Sequence, residues 1–337
     1  MPNLNTRPYL PERFQSIFNQ TFQDWELIVC DSYSDDGSWE YIQELAEHEP
    51  RMRISQTPKN GIYAGFNDCI KLARGEYVYI ATSDDTMYPD CLEKMAAALE
   101  ANPECGICQC RLEIIDENSK THPQLCWDNY ALGRFAPDWI KRTHIRRAPL
   151  DGILHFALQT IYTSLTQLLI RRRVFDRVGL FDRGWGSKGD FEWDVRVGLL
   201  EDCVFIPDKL ATWRIHPQQA TGKTESSAAR REMLAMVRAA FERAQQVPGN
   251  KIAQLPLNRL LRFYREQIVS FGLCEAGNRR QYISFLAAEI FRGNMSALEY
   301  VFKRIRKKKF DEPTQFDQLR ALLAQIPIPT PLVLNSQ

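Results

Sequence analysis

Two adjacent carboxylates, Asp84 and Asp85, close a short apolar run and follow Ser83, a grouping suited to a hard divalent cation or a phosphate. The run, residues 76–82, is β-branched and aromatic and reads as a buried parallel strand. Pro89 then opens a helix in its first turn, with Leu92, Met95, Ala96 and Leu99 spaced along one core-facing side. Carboxylates at the C-terminal end of a parallel strand stand where open α/β sheets bind ligands. The plainer alternative is that the pair only caps a turn. Cys105, Cys108 and Cys110 have the look of a metal knuckle. No second Cys or His pair follows at zinc spacing, however, and CGICQCRLEII alternates like a strand, so we read no metal there.

The elements that must hold these residues alternate over residues 11–115. Helical faces at Phe14, Ile17 and Phe18, at Trp39, Ile42 and Leu45, and over 62–72 separate strands at 25–30, 52–55, 76–82 and 105–115. Such βαβα succession implies a doubly wound, mostly parallel sheet. From about 118 the pattern breaks into segments punctuated by proline and charge, with a strand at 164–170 and a helix at 191–200. After Gly222 it becomes long helical runs rich in Arg, Ala and Leu. We therefore expect units at 1–117, 118–222 and 223–337, an α/β protein with a C-terminal helical extension.

The bulk numbers narrow the function. A chain of 337 residues, 44% hydrophobic and 25% charged, suits a globular protein of two or so domains. A net charge of +1 argues against nucleic acid as the main partner. No apolar stretch approaches the ~20 residues that cross a bilayer, and no signal-peptide pattern opens the sequence. Nine cysteines without a secretory context read as the reduced thiols of a cytoplasmic protein.

Four separated stretches resemble one family. SIFNQTFQDWELIVCDSYSDDGS is similar to the opening of family 2 glycosyltransferases, and NGIYAGFNDCIKLARGEYVYIATSDD to the stretch that ends in their DxD-type motif. RRRVFDRVGLFDRGWGSKGDFEWDVRV resembles their acceptor-side block, and WRIH at 213–216 their late (Y/W)RxH element. The likeness covers about residues 2–217 in the family's order and implies a GT-A-like fold. It implies an inverting, non-processive transferase that moves one sugar from a nucleotide-diphosphate sugar to a saccharide or lipid-linked acceptor in glycan or envelope polysaccharide synthesis.

Roles follow from that resemblance. Asp84 would ligate the Mn or Mg ion that bridges the donor's phosphates and neutralises the leaving diphosphate, with Ser83 and Asp85 supporting it. Asn5, Asp31 and Ser32 would line the nucleoside side, although Asp31 can equally form an Asx turn before Ser34. Gly61 and Asn67 would let a helix approach the ribose, unless they simply start that helix, and His216 would reach the diphosphate unless it is a surface residue. Asp190 would be the catalytic base, with Glu192 and Asp194 as competitors and a helix cap as the plain alternative. Two departures bear on the nucleobase and the metal: Ser32 stands where many relatives read uracil with a carboxylate, and Thr82 replaces the first acidic residue of the DxD pattern. Gly189 replaces the glutamate that customarily precedes the base.

Three further expectations remain. In the family a hydrophobic strand runs into an (M/I)Px(L/Y)N turn, whereas MPNLN begins at that turn. The first strand should thus be missing or truncated, its neighbours' backbone unpaired, with the natural start upstream. The basic run at 301–309 is either a solvated face or a peripheral contact with an anionic membrane on its inner leaflet. Against the enzyme stands a nucleotide-sugar-binding regulatory or scaffolding subunit without turnover. A nucleotidyltransferase lacks support because no glycine-rich basic loop is found, and a processive synthase because no membrane spans or QxxRW motif are found.

Overall fold

The computed structural model describes residues 1–217, 226–305 (backbone only over 303–305), 314–326 and 330–334. The chain opens β1 (Pro2–Asn3), α1 (Leu10–Phe18), β2 (Leu27–Asp31), α2 (Ser38–His48), β3 (Met52–Gln56), α3 (Ile62–Leu72), β4 (Tyr77–Tyr79), α4 (Cys91–Ala101) and β5 (Cys105–Ile115). Each helix forms because its apolar residues share a face: Leu10, Phe14 and Ile17 in α1, and Met95, Ala96 and Leu99 in α4, are buried. Next come α5 (Ala131–Phe135), β6 (His144–Arg146), α6 (Leu150–Leu158), β7 (Leu168–Arg171), α7 (Arg172–Val178), α8 (Gly189–Leu200) and β8 (Asp202–Arg214). The rest is helical, α9 (Ser227–Gln246), α10 (Leu257–Glu275), α11 (Arg279–Phe291), α12 (Met295–Ile305) and α13 (Gln315–Leu323), with a short β9 (Leu332–Val333).

The strands form two sheets, β1-β2-β3 and β4-β7-β5-β8-β6-β9. Parallel pairing carries the long registers, β2 with β3 and β5 with β8, and the antiparallel pairs are short. The β5–β8 ladder joins residues 105–115 to 202–214, so the segments on either side of residue 117 share one sheet. One hydrophobic core runs from Met1 through the sheets to Tyr264 of α10 and Leu322 of α13.

Four local expectations are corrected. The first strand is a two-residue stub, and the edge of β2 beside it is paired rather than left open. The Met1 amino group donates to Ile28 O (2.7 Å), Cys30 N–H to Met1 O (3.0 Å) and Ser32 N–H to Asn3 O (2.8 Å), which closes that edge of β2. The stub does not bridge to β4, and the sheet is divided there. Second, β4 is shorter than 76–82 and pairs antiparallel with β7, because the segment after β5 sends β7 back between β4 and β5. Third, 165–167 is a 3-10 turn started by Ser164, and the strand begins only at Leu168. Likewise α4 begins two residues after Pro89, behind Asp90.

Candidate functional site

At the carboxyl end of β2 the chain is stitched by short polar side chains. Asp31 is fully buried, and its carboxylate accepts from Asn3 Nδ2 (2.7 Å), Ser34 Oγ (2.6 Å) and Ser34 N–H (2.9 Å). These bonds make it the Asx-turn residue beneath the loop. Asn5, held at φ 52°, exchanges bonds with Asp35 (2.8 and 3.0 Å) and gives its N–H to Ser34 Oγ (3.0 Å). Ser32 is half-buried on the same loop. Tyr33 follows it in the left-handed region, φ 53°, with its ring 55% exposed. A tyrosine held there is strained, as residues at binding sites often are, and nothing in the residue pattern signals it.

The second group forms where β4 and β8 end. The Asp84 side chain is part-exposed and places Oδ2 3.1 Å from His216 Nε2, across 132 residues of sequence. Tyr9 lies against the His216 ring at 5.0 Å. Asp85 points inward: Oδ2 accepts from Thr82 Oγ1 (2.6 Å) and Ser164 Oγ (3.4 Å), and Oδ1 from Arg214 N–H (2.8 Å). Burial, reinforced by the Asp84 charge, pushes its carboxyl up to about 7. Thr82, which stands where relatives have the first acid, thus serves to hold Asp85. Ser83 is half-buried in this turn.

Arg214 is the hub. Its side chain is 1% exposed, and its guanidinium donates to Asp84 O (2.7 Å), Asp116 O (3.2 Å), Ser119 Oγ (2.8 Å) and Glu12 Oε2 (2.7 Å). Sequence reasoning passed over it. The available signal was its place two residues before His216, since a strand alternates sides and an arginine there must find acceptors.

A carboxylate oxygen and an imidazole nitrogen so close together form a mixed ligand pair that suits Mn²⁺, whereas Mg²⁺ prefers oxygen alone. Among the described residues no three His, Cys, Asp or Glu side chains gather to hold a metal.

The third group lies at the start of α8. Asp190 is half-buried, its Oδ1 accepting Phe191 N–H (2.7 Å), and burial raises its carboxyl above the usual range despite a neighbouring Tyr63 hydroxyl. Tyr63 Oη donates to Ser187 O (3.1 Å). Gly189 is sterically fixed. A Cβ there would meet Tyr63 Cδ2 at 2.7 Å and Asp182 O at 2.8 Å, so the Tyr63 ring fills the place of the glutamate expected at 189. Glu192 is withdrawn from competition by a buried pairing with Arg196 (2.8 and 2.9 Å) and Arg243 (3.4 Å). Asp194 is buried with Oδ1 unpartnered. Burial first, then the charges of Asp190 and Glu192, hold its carboxyl well above the usual range.

Two expected ribose contacts do other work. Asn67 is buried and clamps Phe181, donating to its carbonyl (2.9 Å) and accepting its N–H (3.0 Å), which ties α3 to the segment before α8. These two bonds use one Nδ2 proton and one Oδ1 lone pair of the amide. Gly61 starts α3 at φ 90°, ψ 163°, which only glycine adopts easily, so it acts as a helix start. A cavity of about 870 Å³ lies elsewhere, among α10, α12 and α13, and carries none of these groups.

The sequence model described as glycosyl transferase family 2 matches residues 1–179, more than half of the chain. The chain belongs to glycosyl transferase family 2. Among its relatives, the "Putative glycosyltransferase EpsE" of Bacillus subtilis (strain 168) is 32% identical over 115 residues, 34% of this chain and 41% of that protein. The "Chondroitin synthase" of Pasteurella multocida (strain Pm70) is 34% identical over 93 residues, 28% of this chain and 10% of that protein. The chain thus spans less than half the length of these family 2 relatives. Among solved structures, S. aureus TarS 1-349 in complex with UDP-GlcNAc superposes with TM-score 0.61 at 17% identity, covering 85% of this chain and 78% of that one. The mannosyltransferase PcManGT from Pyrobaculum calidifontis, in complex with GDP-Man and Mn2+, gives 0.51 at 17% identity over 96% and 84%. At such identity the likeness is one of fold.

Proposed function

We propose that this protein transfers a single sugar from a nucleotide-diphosphate sugar to an acceptor hydroxyl, with a divalent cation and with inversion, in glycan or cell-envelope polysaccharide synthesis. The observation that carries the reading is the Asp84–His216 pair, 3.1 Å apart on a turn that Arg214 anchors. Asp84 and His216 would hold the cation, which when bound neutralises the departing diphosphate. Asp85, buried and bonded, keeps the turn in shape. Ser32, Tyr33 and Asn5 border the nucleoside side, where a serine hydroxyl reads a base less strongly than a carboxylate would. Asp190 takes the proton of the attacking hydroxyl, and its raised carboxyl brings it nearer the operating pH at which a general base works best. Asp194 and Tyr63 form the wall behind it. The acceptor is a saccharide or a lipid-linked one.

A binding subunit without turnover draws on one observation, the loss of the acidic pair at Gly189. Incubation of the purified protein with UDP- and GDP-sugars, Mn²⁺ or Mg²⁺ and candidate acceptors separates the readings, with melting shifts reporting binding. We expect one donor class to stabilise the protein only with the cation, and Asp84→Ala to abolish that stabilisation while melting normally without ligand. Unchanged manganese dependence in Asp84→Ala would place the metal elsewhere. Cation-dependent binding with no transfer would leave the binding subunit.

A further inference from the structure

The α11–α12 hairpin is apolar on two sides. Inward, Leu286 and Ala297 pack with Val269 of α10, and the Tyr282 and Tyr300 hydroxyls meet at 2.7 Å. The seat is tight, since a Cβ at Gly272 of α10 would fall within 1.9 Å of the Phe285 ring. Outward, Ile283 (56% exposed), Phe291 (92%), Met295 (57%) and Phe302 (53%) stand in solvent. Phe291 and Met295 flank the three-residue turn between the helices, and Phe302 repeats Met295's face two turns later. Loose packing does not explain four large apolar side chains on the outside of a well-seated hairpin. A helix apolar on opposite sides buries the second one against something else.

The charges around it indicate what. Glu289 is turned inward and bonded to Arg231 (2.8 Å) and Asn294 (3.1 Å), while Glu299 pairs with Arg262 of α10 (2.8 Å). None of the exposed residues of α11 is acidic, whereas Arg279 and Arg280 at its start are exposed. Arg292 in the turn, 57% exposed, is already paired with Glu289 (2.8 Å). The sequence continuing from Phe302 adds Lys303, Arg304, Arg306, Lys307, Lys308 and Lys309. These six, which carry the contact expected of 301–309, lie outside the residues whose side chains the structure describes and are no part of the surface proposed.

We propose that the outward face of α11 and α12 docks on an anionic phospholipid bilayer, with Phe291 and Met295 entering the headgroup boundary and Arg279 and Arg280 lying over the lipid charge. Helices of this make-up lie in the plane of the interface with the apolar side immersed. This binding surface is independent of the sugar-transfer reading. No described helix is long and apolar enough to cross a membrane, so the contact is peripheral.

Flotation of the full chain with vesicles of phosphatidylcholine alone, or with phosphatidylglycerol added, tests it. We expect binding only to the anionic vesicles. Each basic residue near such a surface strengthens binding about fivefold, so raised salt should release the protein. The pair Phe291→Ser and Met295→Ser changes only exposed positions at a turn, and it should weaken vesicle binding at least about tenfold with melting unchanged. Failure to bind anionic vesicles would overturn the proposal. So would the double variant binding as the wild type does, since charge alone would then suffice. Light scattering supplies the last arm: a dimer dispersed by the double variant, with no vesicle binding, would assign the face to a second copy of this chain and refute the membrane.

Discussion

Replacing Arg214 by methionine keeps its length and removes every donor of the guanidinium. Two of its acceptors are carbonyls, Asp84 O and Asp116 O, around a side chain that is 1% exposed. A buried acceptor left without its partner costs about 1–3 kcal/mol. Glu12 is 43% exposed and rehydrates, so its share of the ion pair counts for under about 1 kcal/mol. The loss is then about 2–6 kcal/mol. Unfolding entropy of roughly 2.1 cal/mol/K per residue gives about 0.7 kcal/mol/K for a chain of 337 residues. Tm should accordingly fall by about 3–9 °C, measured by thermal melting without ligand. Function should suffer separately, because the backbone carrying Asp84 loses its tether. Titration of a nucleoside diphosphate with Mn²⁺ should show at least about tenfold weaker binding, about 1.4 kcal/mol. Arg214→Lys can satisfy only some of the acceptors and should fall between the two. An Arg214→Met protein that melted and bound like wild type would refute the claim that this residue holds the site together.

Asp190→Asn keeps the shape and its bond to Phe191 N–H but cannot take a proton. It should bind donor normally, melt near wild type and turn over at least ~100-fold more slowly; near-normal turnover would pass the role of base to Asp194. For Asp194 the sign runs through the proton: the folded state keeps it where an unfolded carboxyl, near 3.9, has lost it. Wild-type stability therefore falls as pH rises above about 4. Asp194→Asn should show a shallower decline, its melting advantage over wild type growing as pH rises above about 4, and parallel curves would contradict the assignment.

The sequence carried the alternation of the first 115 residues because each element there announces itself by local periodicity. It did not carry the direction of β4, since the partner, β7, arrives about 90 residues later and leaves no mark on residues 77–79. The site divides the same way. Asp84 was legible as a carboxylate at a strand end, yet the His216 that meets it is brought by β8 from the far side of the chain. Asp31 and Asn67 carry the right chemistry at the right place in the motifs, but short polar side chains close their own turns and clamp neighbouring backbone as readily as they meet ligands. Glu192 could have been set aside earlier, because Arg196 stands four residues on, the spacing of a helical ion pair.

The reach of Arg214 also bears on how the site comes into being during synthesis. Its partners precede it by 202, 130 and 98 residues at Glu12, Asp84 and Asp116. Domains fold as the chain emerges from its N-terminal end, so the stub, β2, β3 and the carboxylates of the β4 turn exist well before the residue that fixes them. A nascent chain that has passed β5 holds Asp84 on a turn with neither its anchor nor its imidazole neighbour. On the proposed function, donor binding would wait until β8 has laid down beside β5, and a fragment ending at residue 117 would carry the recognisable motifs without the Asp84–His216 pair.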